Sequence, residues 1–411
     1  MPAARPVGPG FSPLDEELGL LPGALTPLLQ AHLSRLGARL SFAEAASELW
    51  HLKGVRVSEA TARRRTEADG ALYAARQEAE AARVLATTPP APRGPAVQQV
   101  SVDGAMVPLV AGNWREVRTL AIATVAPGAA PGTVRCEERS YFCRLADAAR
   151  FTDLATGEMH RRGVETAGIV AGVVDGAEWC QAFLDAHCPQ AVRILDFPHA
   201  AQRLSAVADA AWGAGETAAA WATAQRQTLR DGDPAVVLAH LRVLPVGTAS
   251  DPAAAQAMQR EVLGYFAPRL EQMRYAAFRA QGLPIGSGLV ESANKLVVEA
   301  RMKGAGRRWA ERHVNPLLAL RGAICSERWD EAWTTIARER RTRPPATGGP
   351  ARPAASAASV TAPVRRPATP AIPDLPPDLP AAGPKTVVNG RPTAAHPWKR
   401  FRAVPPSAAK L

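Results

Sequence analysis

Residues 169–179 read IVAGVVDGAEW, a short apolar run that ends in an acidic residue followed by glycine. The same arrangement occurs earlier, in residues 100–107, which read VSVDGAMV. A single Asp-Gly pair after an apolar run is typical of an ordinary turn. Two such pairs put Asp103 in one predicted strand and Asp175 at the end of another, so the two carboxylates can meet at one edge of a sheet.

The spacing of apolar residues around these stretches predicts an α/β fold. Alternating apolar residues predict five strands, and residues 148–163 and 177–188 have helical spacing. The predicted strands read VQQVSVDGAMV, EVRTLAIATVA, RSYFCRLAD, IVAGVVD and AVRILD. Three successive strands followed by helix, strand, helix and strand indicate a mixed sheet with helices packed against it.

Shifts in composition divide the chain into segments. The Pro-rich stretch ATTPPAPRGPA marks a boundary, and the C-terminal sequence cannot bury enough apolar surface to fold. The expected segments are a helical domain (1–85), a Pro-rich linker (86–96), the first part of the sheet-bearing core (97–200), a helical insertion (201–280), the last part of the core with an acidic helix and a basic segment (281–337), and a disordered tail (338–411).

Within residues 1–85, two helices flank a glycine turn. Ser41 and Glu44 have the spacing of a capping box at the start of the first helix. Gly54 interrupts the pattern, and the second helix, which starts at Ser58, carries Arg63, Arg64 and Arg65. This order is typical of a helix-turn-helix that binds DNA. It also fits an ordinary helical hairpin with a solvated basic face.

The charge balance favours a polyanionic partner. Lys and Arg total 49 against 38 acidic residues, which gives a formal net charge of +11. Such an excess favours DNA or RNA, although a soluble protein from an Arg-rich genome would show the same balance. No run is long enough for a membrane span, and the N-terminal residues lack a secretory signal pattern.

The cysteines predict neither a zinc site nor a disulfide framework. Five are present, and none stands in a C-x-x-C pair. This usage is typical of a reducing compartment. We therefore expect a cytoplasmic protein that does not contact a membrane.

A third carboxylate completes a candidate metal site. Glu291 follows Gly286-Ser-Gly288 at the start of a predicted helix. Together with Asp103 and Asp175 it could converge over one edge of the sheet, where isolated carboxylates repel one another and raise one another's pKa. A divalent cation removes that penalty, and oxygen ligands suit Mg²⁺ or Mn²⁺. Two such ions can assist in-line displacement at a phosphodiester.

Five blocks in order, SVDGAMV, VVDGAEW, LDFPHA, PIGSGLVES and KGAGRRW, resemble the bacterial insertion-sequence DDE transposases of the Mutator-like superfamily, in particular the ISKra-like branch. The resemblance covers roughly residues 40–335. It implies an RNase H-like core with a helical insertion before the last acid, two Mg²⁺ ions, and catalytic Asp103, Asp175 and Glu291. It also implies cleavage and strand transfer on double-stranded DNA, at transposon ends and target, by a homo-oligomer in the bacterial nucleoid.

Asp196 is a rival for the second catalytic acid. In the resembled fold the second acid follows strand four, which favours Asp175. Asp196 and His199 match a family pattern of Cys or Asp, two residues, then His. This pair could orient a ligand, touch DNA or cap the next helix.

A basic segment follows the acidic helix. Phosphate contacts from it would position DNA without reading its sequence, although a solvated helix face explains the same pattern. Trp309 within it fits the core better than a stacking role. The segment comprises Arg301, Lys303, Arg307 and Arg308. Lys295, one turn beyond Glu291, could neutralise the site or contact a phosphate. Two other functions stay open: a catalytically inactive or domesticated relative that binds DNA, and an RNase H-like nuclease without transposition.

Overall fold

The computed structural model of the chain describes residues 25–110, 112–130, 132–342, 387–388 and 391–392. The chain divides into two compact units, Met1–Ala346 and Thr347–Leu411. In the second unit, Val387–Val388 pairs antiparallel with Arg391–Pro392. The first unit carries the predicted sheet and every candidate site residue.

A five-stranded mixed sheet confirms the predicted α/β class. Its strands are β1 (Val97–Pro108), β2 (Trp114–Pro127), β3 (Val134–Arg144), β4 (Ile169–Val174) and β5 (Val192–Leu195). They lie in the order β3-β2-β1-β4-β5. β1, β2 and β3 pair antiparallel, whereas β4 runs parallel to β1 and β5 runs parallel to β4. The carboxyl ends of β4 and β5 therefore reach the same edge of the sheet.

Helices surround this sheet. They are α1 (Pro27–Arg39), α2 (Phe42–Lys53), α3 (Glu59–Thr87), α4 (Ala148–Arg161), α5 (Glu178–His187), α6 (Phe197–Trp212), α7 (Glu216–Asp231), α8 (Pro234–Arg242), α9 (Pro252–Phe266), α10 (Tyr275–Ala280), α11 (Gly288–Ala293), α12 (Ala300–Met302), α13 (Glu311–Cys325) and α14 (Trp329–Thr342). Short 3₁₀ turns span Val164–Thr166, Val246–Thr248 and Ala267–Met273. Among the described residues, none of the helices has both the length and the apolar character needed to cross a bilayer.

The described helices extend past one predicted boundary. α14 continues through Thr342, so residues 338–342 are helical although the sequence places them in the tail. Residues 1–24 and most of the predicted tail lie outside the described residues. The disorder expected for that tail stays a prediction. Between residues 201 and 280 the chain is helical as expected, with α6 to α10 joined by short connections.

The predicted helix starts near the N-terminus are confirmed. The Ser41 side chain accepts a hydrogen bond from the Glu44 backbone N–H, and the Glu44 carboxylate accepts one from the Ser41 N–H. Gly54 ends α2 at φ +66°, a conformation that glycine adopts without strain. Ser58 caps α3 by accepting a hydrogen bond from the Thr61 N–H. These caps depend on neighbouring residues alone, which is why the sequence reveals them.

The N-terminal helices belong to the same unit as the sheet. α3, the second helix of the predicted helix-turn-helix, has 29 residues and packs against α1, α4 and α13. Arg301 on α12 adds a second connection between the N-terminal helices and the core. Its Nε donates to the Gly37 carbonyl, and its guanidinium lies over the rings of Phe42 and Trp309 at 4.7 and 4.8 Å.

The two faces of β1 pack against different helices because successive side chains point to opposite sides. Val100 and Val102 lie in the core that contains residues of α4 and α5. Ala105 and Val107 lie in the core that contains residues of α11 and α13. Asp103 is two residues from Ala105, so it shares the face of β1 that α11 covers. The period of the strand thus directs this carboxylate toward the acidic helix.

The helix predicted to follow Gly286-Ser-Gly288 is short and irregular. α11 has six residues and is followed by a π-helical segment, Asn294–Glu299, before α12 ends at Met302. The wider turn alters the backbone hydrogen bonding, and the buried Arg321 donates to the carbonyls of Leu296 and Val297. π-Helical turns of this kind are frequent at functional sites.

Candidate functional site

Asp103 lies in β1 and contacts the far end of the chain. Its Oδ2 accepts a 2.8 Å hydrogen bond from the side-chain amide of Asn294. Its Oδ1 accepts a 2.7 Å hydrogen bond from the N–H of Gly104. Asn294 stands three residues after Glu291, which places the two on neighbouring positions of one helical surface. This contact joins the first predicted acid to the segment that carries the last one.

The surroundings of Asp103 disfavour its charged form. Burial raises the pKa of the Asp103 carboxyl, and the negative charges of Asp175 and Glu116 raise it further, against the lowering effects of the Gly104 N–H and of His199. The charge of Asp175 therefore adds to the effect of burial in disfavouring ionisation of Asp103. Glu116 was not among the predicted site residues.

Asp175 follows the last residue of β4. Its Oδ1 accepts a 2.9 Å hydrogen bond from the Ala177 N–H, and Gly176 between them adopts φ +86°. The Tyr265 hydroxyl donates to the Asp175 carbonyl, and Arg269 donates to the Gly176 carbonyl at 3.0 Å. The helical insertion therefore supports the turn that presents this acid.

Asp196 occupies the position after β5 and caps α6. It is fully buried, at 0% exposure. Its Oδ2 accepts hydrogen bonds from the His199 N–H at 3.0 Å and from His199 Nδ1 at 2.6 Å, and its Oδ1 accepts one from the Ser287 N–H. Of the roles open from sequence, helix capping is the one observed. The contact with Ser287 also fixes the residue immediately before α11.

The protonation of this pair follows from its hydrogen bonds. Burial alone would raise the pKa of Asp196, but hydrogen bonds from His199 and Ser287 reverse the effect, and the pKa is lowered. The pKa of His199 is raised, first by its hydrogen bond to Asp196 and then by the charges of Asp196, Asp175 and Asp103, against an opposing effect of burial. The pair therefore favours carboxylate and imidazolium.

Glu291 lies in the first turn of α11 and is half-buried. Its Oε1 accepts a 3.3 Å hydrogen bond from the Ser287 hydroxyl. Asp196, His199 and Glu291 form a group that could hold a metal ion, with ligand atoms within 4.8 Å of one another. Both oxygens of Asp196 already accept hydrogen bonds from the protein, so this acid would have to share them with an ion.

Two residues that help to build the site were not expected. Asn294 orients Asp103, and Ser287 links Asp196 to Glu291. A sequence signal existed for Asn294, because it stands one helical turn beyond Glu291. The neighbouring Lys295 attracted the prediction because of its charge, and its side chain is exposed.

The predicted DNA-binding arginines and lysines differ in accessibility. Arg63, Arg64 and Arg308 are exposed, and Arg65 is half-buried. Lys303 pairs with Glu299 at 2.6 Å, and Arg307 donates to the Arg301 carbonyl. Exposed guanidinium groups are available to a phosphate, and the DNA contacts of these residues stay predictions.

Arg301 is the exception. It is only 2% exposed and is held by Gly37, Phe42 and Trp309, so it cannot reach a phosphate in this conformation. Burial lowers its pKa to about 10. Its charge made it a DNA-binding candidate in the sequence, whereas its position makes it a packing residue. Trp309 is buried as expected, and its Nε1 donates to the Met302 carbonyl.

Comparison with protein-family models found no match to this chain, and comparison with curated proteins found none either. The chemistry of the site therefore has to be inferred from its own residues. Four acids lie on or directly after β1, β4, β5 and α11. Of these, Asp196 and Glu291 form a group with His199 that could share an ion, and Asn294 links Asp103 to the segment that follows Glu291. Hard oxygen donors predominate, and these are the ligands that Mg²⁺ and Mn²⁺ prefer.

Proposed function

We propose that this chain is a metal-dependent DNA transposase with an RNase H-like core. The observation that carries the proposal is the hydrogen bond from Asn294 to Asp103, which brings the first acid to the helical segment of Glu291. The charge of Asp175 acts on the same carboxyl group. The strand order β3-β2-β1-β4-β5, with three antiparallel strands followed by two parallel ones, supports the RNase H-like part of the proposal.

The donor set fits divalent cations. Asp103 is partly buried beside the negative charge of Asp175, and both effects raise its pKa. A cation would offset that charge, which is the expected environment of a metal-binding carboxylate. Asp103, Asp175 and Glu291 would hold two Mg²⁺ or Mn²⁺ ions. Such ions activate the attacking oxygen and stabilise the charge on the leaving oxygen of a phosphodiester.

The remaining residues position these acids. Asn294 fixes the orientation of Asp103, and Asp196 fixes Ser287 at the start of α11. His199 uses Nδ1 for Asp196, which leaves Nε2 free to donate to a non-bridging phosphate oxygen. We therefore propose that Asp196 is an orienting residue and that Asp175 is the second catalytic acid.

The chemistry has two displacements at phosphorus. In the first, the oxygen of water bonds to phosphorus and the bond to the 3′-oxygen breaks, which leaves a 3′-hydroxyl after protonation and a 5′-phosphate. In the second, that 3′-hydroxyl loses its proton as it attacks a target phosphodiester, and a new 3′-oxygen leaves. The same carboxylates serve both steps because the reacting groups are alike.

Double-stranded DNA is the proposed partner, both as transposon ends and as target. The net charge of +11 favours association with a polyanion. Exposed Arg63, Arg64, Lys295 and Arg308 are the residues that we propose for phosphate contacts. Joining two ends requires two copies of the site, so we propose that the active form is a homo-oligomer.

The test uses the full chain with a plasmid that carries the DNA flanking both sides of its gene. We expect Mg²⁺-dependent nicking at the ends, followed by joining of the ends to a target plasmid, and no reaction in EDTA. Asp103→Asn and Glu291→Gln should abolish both steps while DNA binding persists. Asp185→Asn is the matched control, because this exposed acid pairs with Arg193 on another part of the core.

The outcomes separate the competing functions. Nicking without joining would indicate an RNase H-like nuclease. DNA binding without nicking, in either Mg²⁺ or Mn²⁺, would indicate a non-catalytic DNA-binding protein. Normal nicking by Asp103→Asn would end the proposal, because the proposal makes the Asp103 carboxylate a ligand of the catalytic ions.

A further inference from the structure

Tyr265 lies under two guanidinium groups at the edge of the site. The Cζ of Arg203 is 3.8 Å from the ring centroid, and the Cζ of Arg269 is 4.5 Å from it. Contacts at this distance are attractive because the face of an aromatic ring carries negative charge. The arrangement therefore concentrates two positive charges beside one ring, although the two guanidinium groups repel each other.

This group is attached to the turn that presents Asp175. The Tyr265 hydroxyl donates to the Asp175 carbonyl, and Arg269 donates to the Gly176 carbonyl at 3.0 Å. Arg203 lies on α6, four residues after His199, and positions four apart share one face of a helix. The cationic group therefore borders the acidic site on the side of the helical insertion.

The two arginines differ in how fully they are engaged. Arg269 donates one η nitrogen to the Tyr265 carbonyl at 2.8 Å and the other to the Gly176 carbonyl. Arg203 has one described carboxylate partner, Glu261, at 3.0 Å. The side chain of Arg203 is 35% exposed and that of Glu261 is 62% exposed. An ion pair this exposed is weak, so a phosphate can displace the carboxylate.

We propose that Arg203 binds a backbone phosphate of the DNA strand that enters the site beside Asp175. The proposal rests on the proposed function. The ring of Tyr265 holds the guanidinium of Arg203 in place, and a planar guanidinium offers paired donors to phosphate oxygens. The excess positive charge of Arg269, whose described acceptors are carbonyls, adds attraction for the anion. Arg203 is thus a substrate-binding residue contributed by the helical insertion.

The salt dependence of DNA binding tests this assignment. The probe is a labelled mixed-sequence DNA duplex with a single-stranded overhang, titrated with full-length protein at several salt concentrations. Losing one phosphate contact should reduce the slope of log K against log salt by about 0.9. Arg203→Ala should show this loss and bind about ten-fold more weakly. Arg203→Lys should keep the slope, because the charge is retained.

Two further variants make the result specific. Arg260→Ala removes an exposed arginine from α9, the helix that carries Tyr265, and should leave slope and affinity unchanged. Glu261→Gln frees Arg203 from its partner without altering the arginine, and should tighten binding several-fold. Because Glu261 is exposed, this variant remains informative even if Arg203→Ala does not fold.

Failure of the assignment and failure of the proposed function give different results. If the wild-type protein nicks the plasmid but Arg203→Ala and Glu261→Gln bind DNA as the wild type does, the role of Arg203 is overturned and the transposase proposal stands. If the wild-type protein neither nicks DNA nor binds it in a salt-dependent way, both are overturned.

Discussion

The side-chain amide of Asn294 donates a 2.8 Å hydrogen bond to Oδ2 of Asp103 across 191 residues of sequence. The other amide atom, Oδ1 of Asn294, is buried without a hydrogen-bond partner among the described residues. The amide nitrogen of Asn294 thus binds the carboxylate, although the amide oxygen is left without a hydrogen bond among the described residues. A residue held in this way controls the direction in which Asp103 presents its oxygens.

Asn294→Ala should lower the affinity of the site for Mg²⁺ while leaving the protein folded. Residues that orient a metal-binding carboxylate typically contribute about 10- to 100-fold to metal affinity or activity. We expect the Mg²⁺ concentration that gives half-maximal nicking to rise by about that factor. A titration of nicking rate against Mg²⁺ measures the effect. An unchanged Mg²⁺ requirement would show that Asn294 has no positioning role.

Asp103→Asn should stabilise the metal-free protein. Burial and the charge of Asp175 raise the pKa of Asp103, so the folded state disfavours its charged form. Stability therefore falls as pH rises through the raised pKa, and the penalty persists at neutral pH. In EDTA at neutral pH we expect a higher melting temperature for the variant, on a scale of about 2 °C per kcal/mol.

Added Mg²⁺ supplies the control for that measurement. It should raise the melting temperature of the wild-type protein, because an ion that binds only the folded state stabilises it. The response should be lost in Asp103→Asn. A wild-type melting temperature that does not change with Mg²⁺ would contradict the assignment of a metal site here.

Asp175→Asn and Asp196→Asn should fail for different reasons. Asp175→Asn should abolish nicking with little change in melting temperature. Asp196→Asn should destabilise the fold by about 2 kcal/mol. The substitution replaces one of two buried carboxylate oxygens that accept hydrogen bonds from the N–H groups of His199 and Ser287. Thermal melts and nicking assays on the same preparations compare the two. Normal nicking by Asp175→Asn, together with loss of nicking in folded Asp196→Asn, would make Asp196 the second catalytic acid.

The ion pair of His199 and Asp196 predicts a pH window for stability. The raised pKa of His199 gives a contribution to folding stability. This contribution is fully present below pH 6.5, the ordinary pKa of histidine, and is lost as pH rises through the raised pKa. The lowered pKa of Asp196 gives a second contribution to stability, which is present above pH 3.8 and is lost as pH falls through the lowered pKa. His199→Gln should flatten the alkaline side of a plot of melting temperature against pH. An identical alkaline slope in both proteins would refute the ion pair.

Arg321→Met should disturb the π-helical segment. Arg321 is buried and donates to the carbonyls of Val297, Leu296 and Ala38. Leaving such carbonyls unpaired typically costs about 1–3 kcal/mol for each group. We expect a clear fall in the free energy of unfolding by denaturant, together with reduced nicking, since the segment also carries Asn294. Arg338→Met, on α14, serves as the control substitution.

The features that the sequence predicted correctly are local. Strand periodicity identified the alternating runs of the sheet, and the caps at Ser41 and Ser58 depend on residues within one helical turn. The position of Asp175 after an apolar run was visible for the same reason. Asp103 was recognisable as an acid followed by glycine in a predicted strand, and Glu291 as an acid near the start of a predicted helix.

The features that the sequence did not reveal depend on distant packing. Nothing near Arg301 indicates that Phe42 and Gly37 will enclose it. The π-helical segment depends on Arg321, more than twenty residues further along the chain. Asn294 and Ser287 are neutral side chains, and they acquire a role only when β1 and β5 approach α11.

The buried guanidinium of Arg301 has a consequence for how the protein can be divided. A fragment starting at residue 97, after the Pro-rich segment, would lack Gly37 and Phe42 and would leave that cation facing solvent beside Trp309. The segment that follows the acidic helix would then lose its packing against the N-terminal helices. The helices that precede the sheet thus support the candidate site, and we expect a fragment without them to lose that site rather than to isolate it.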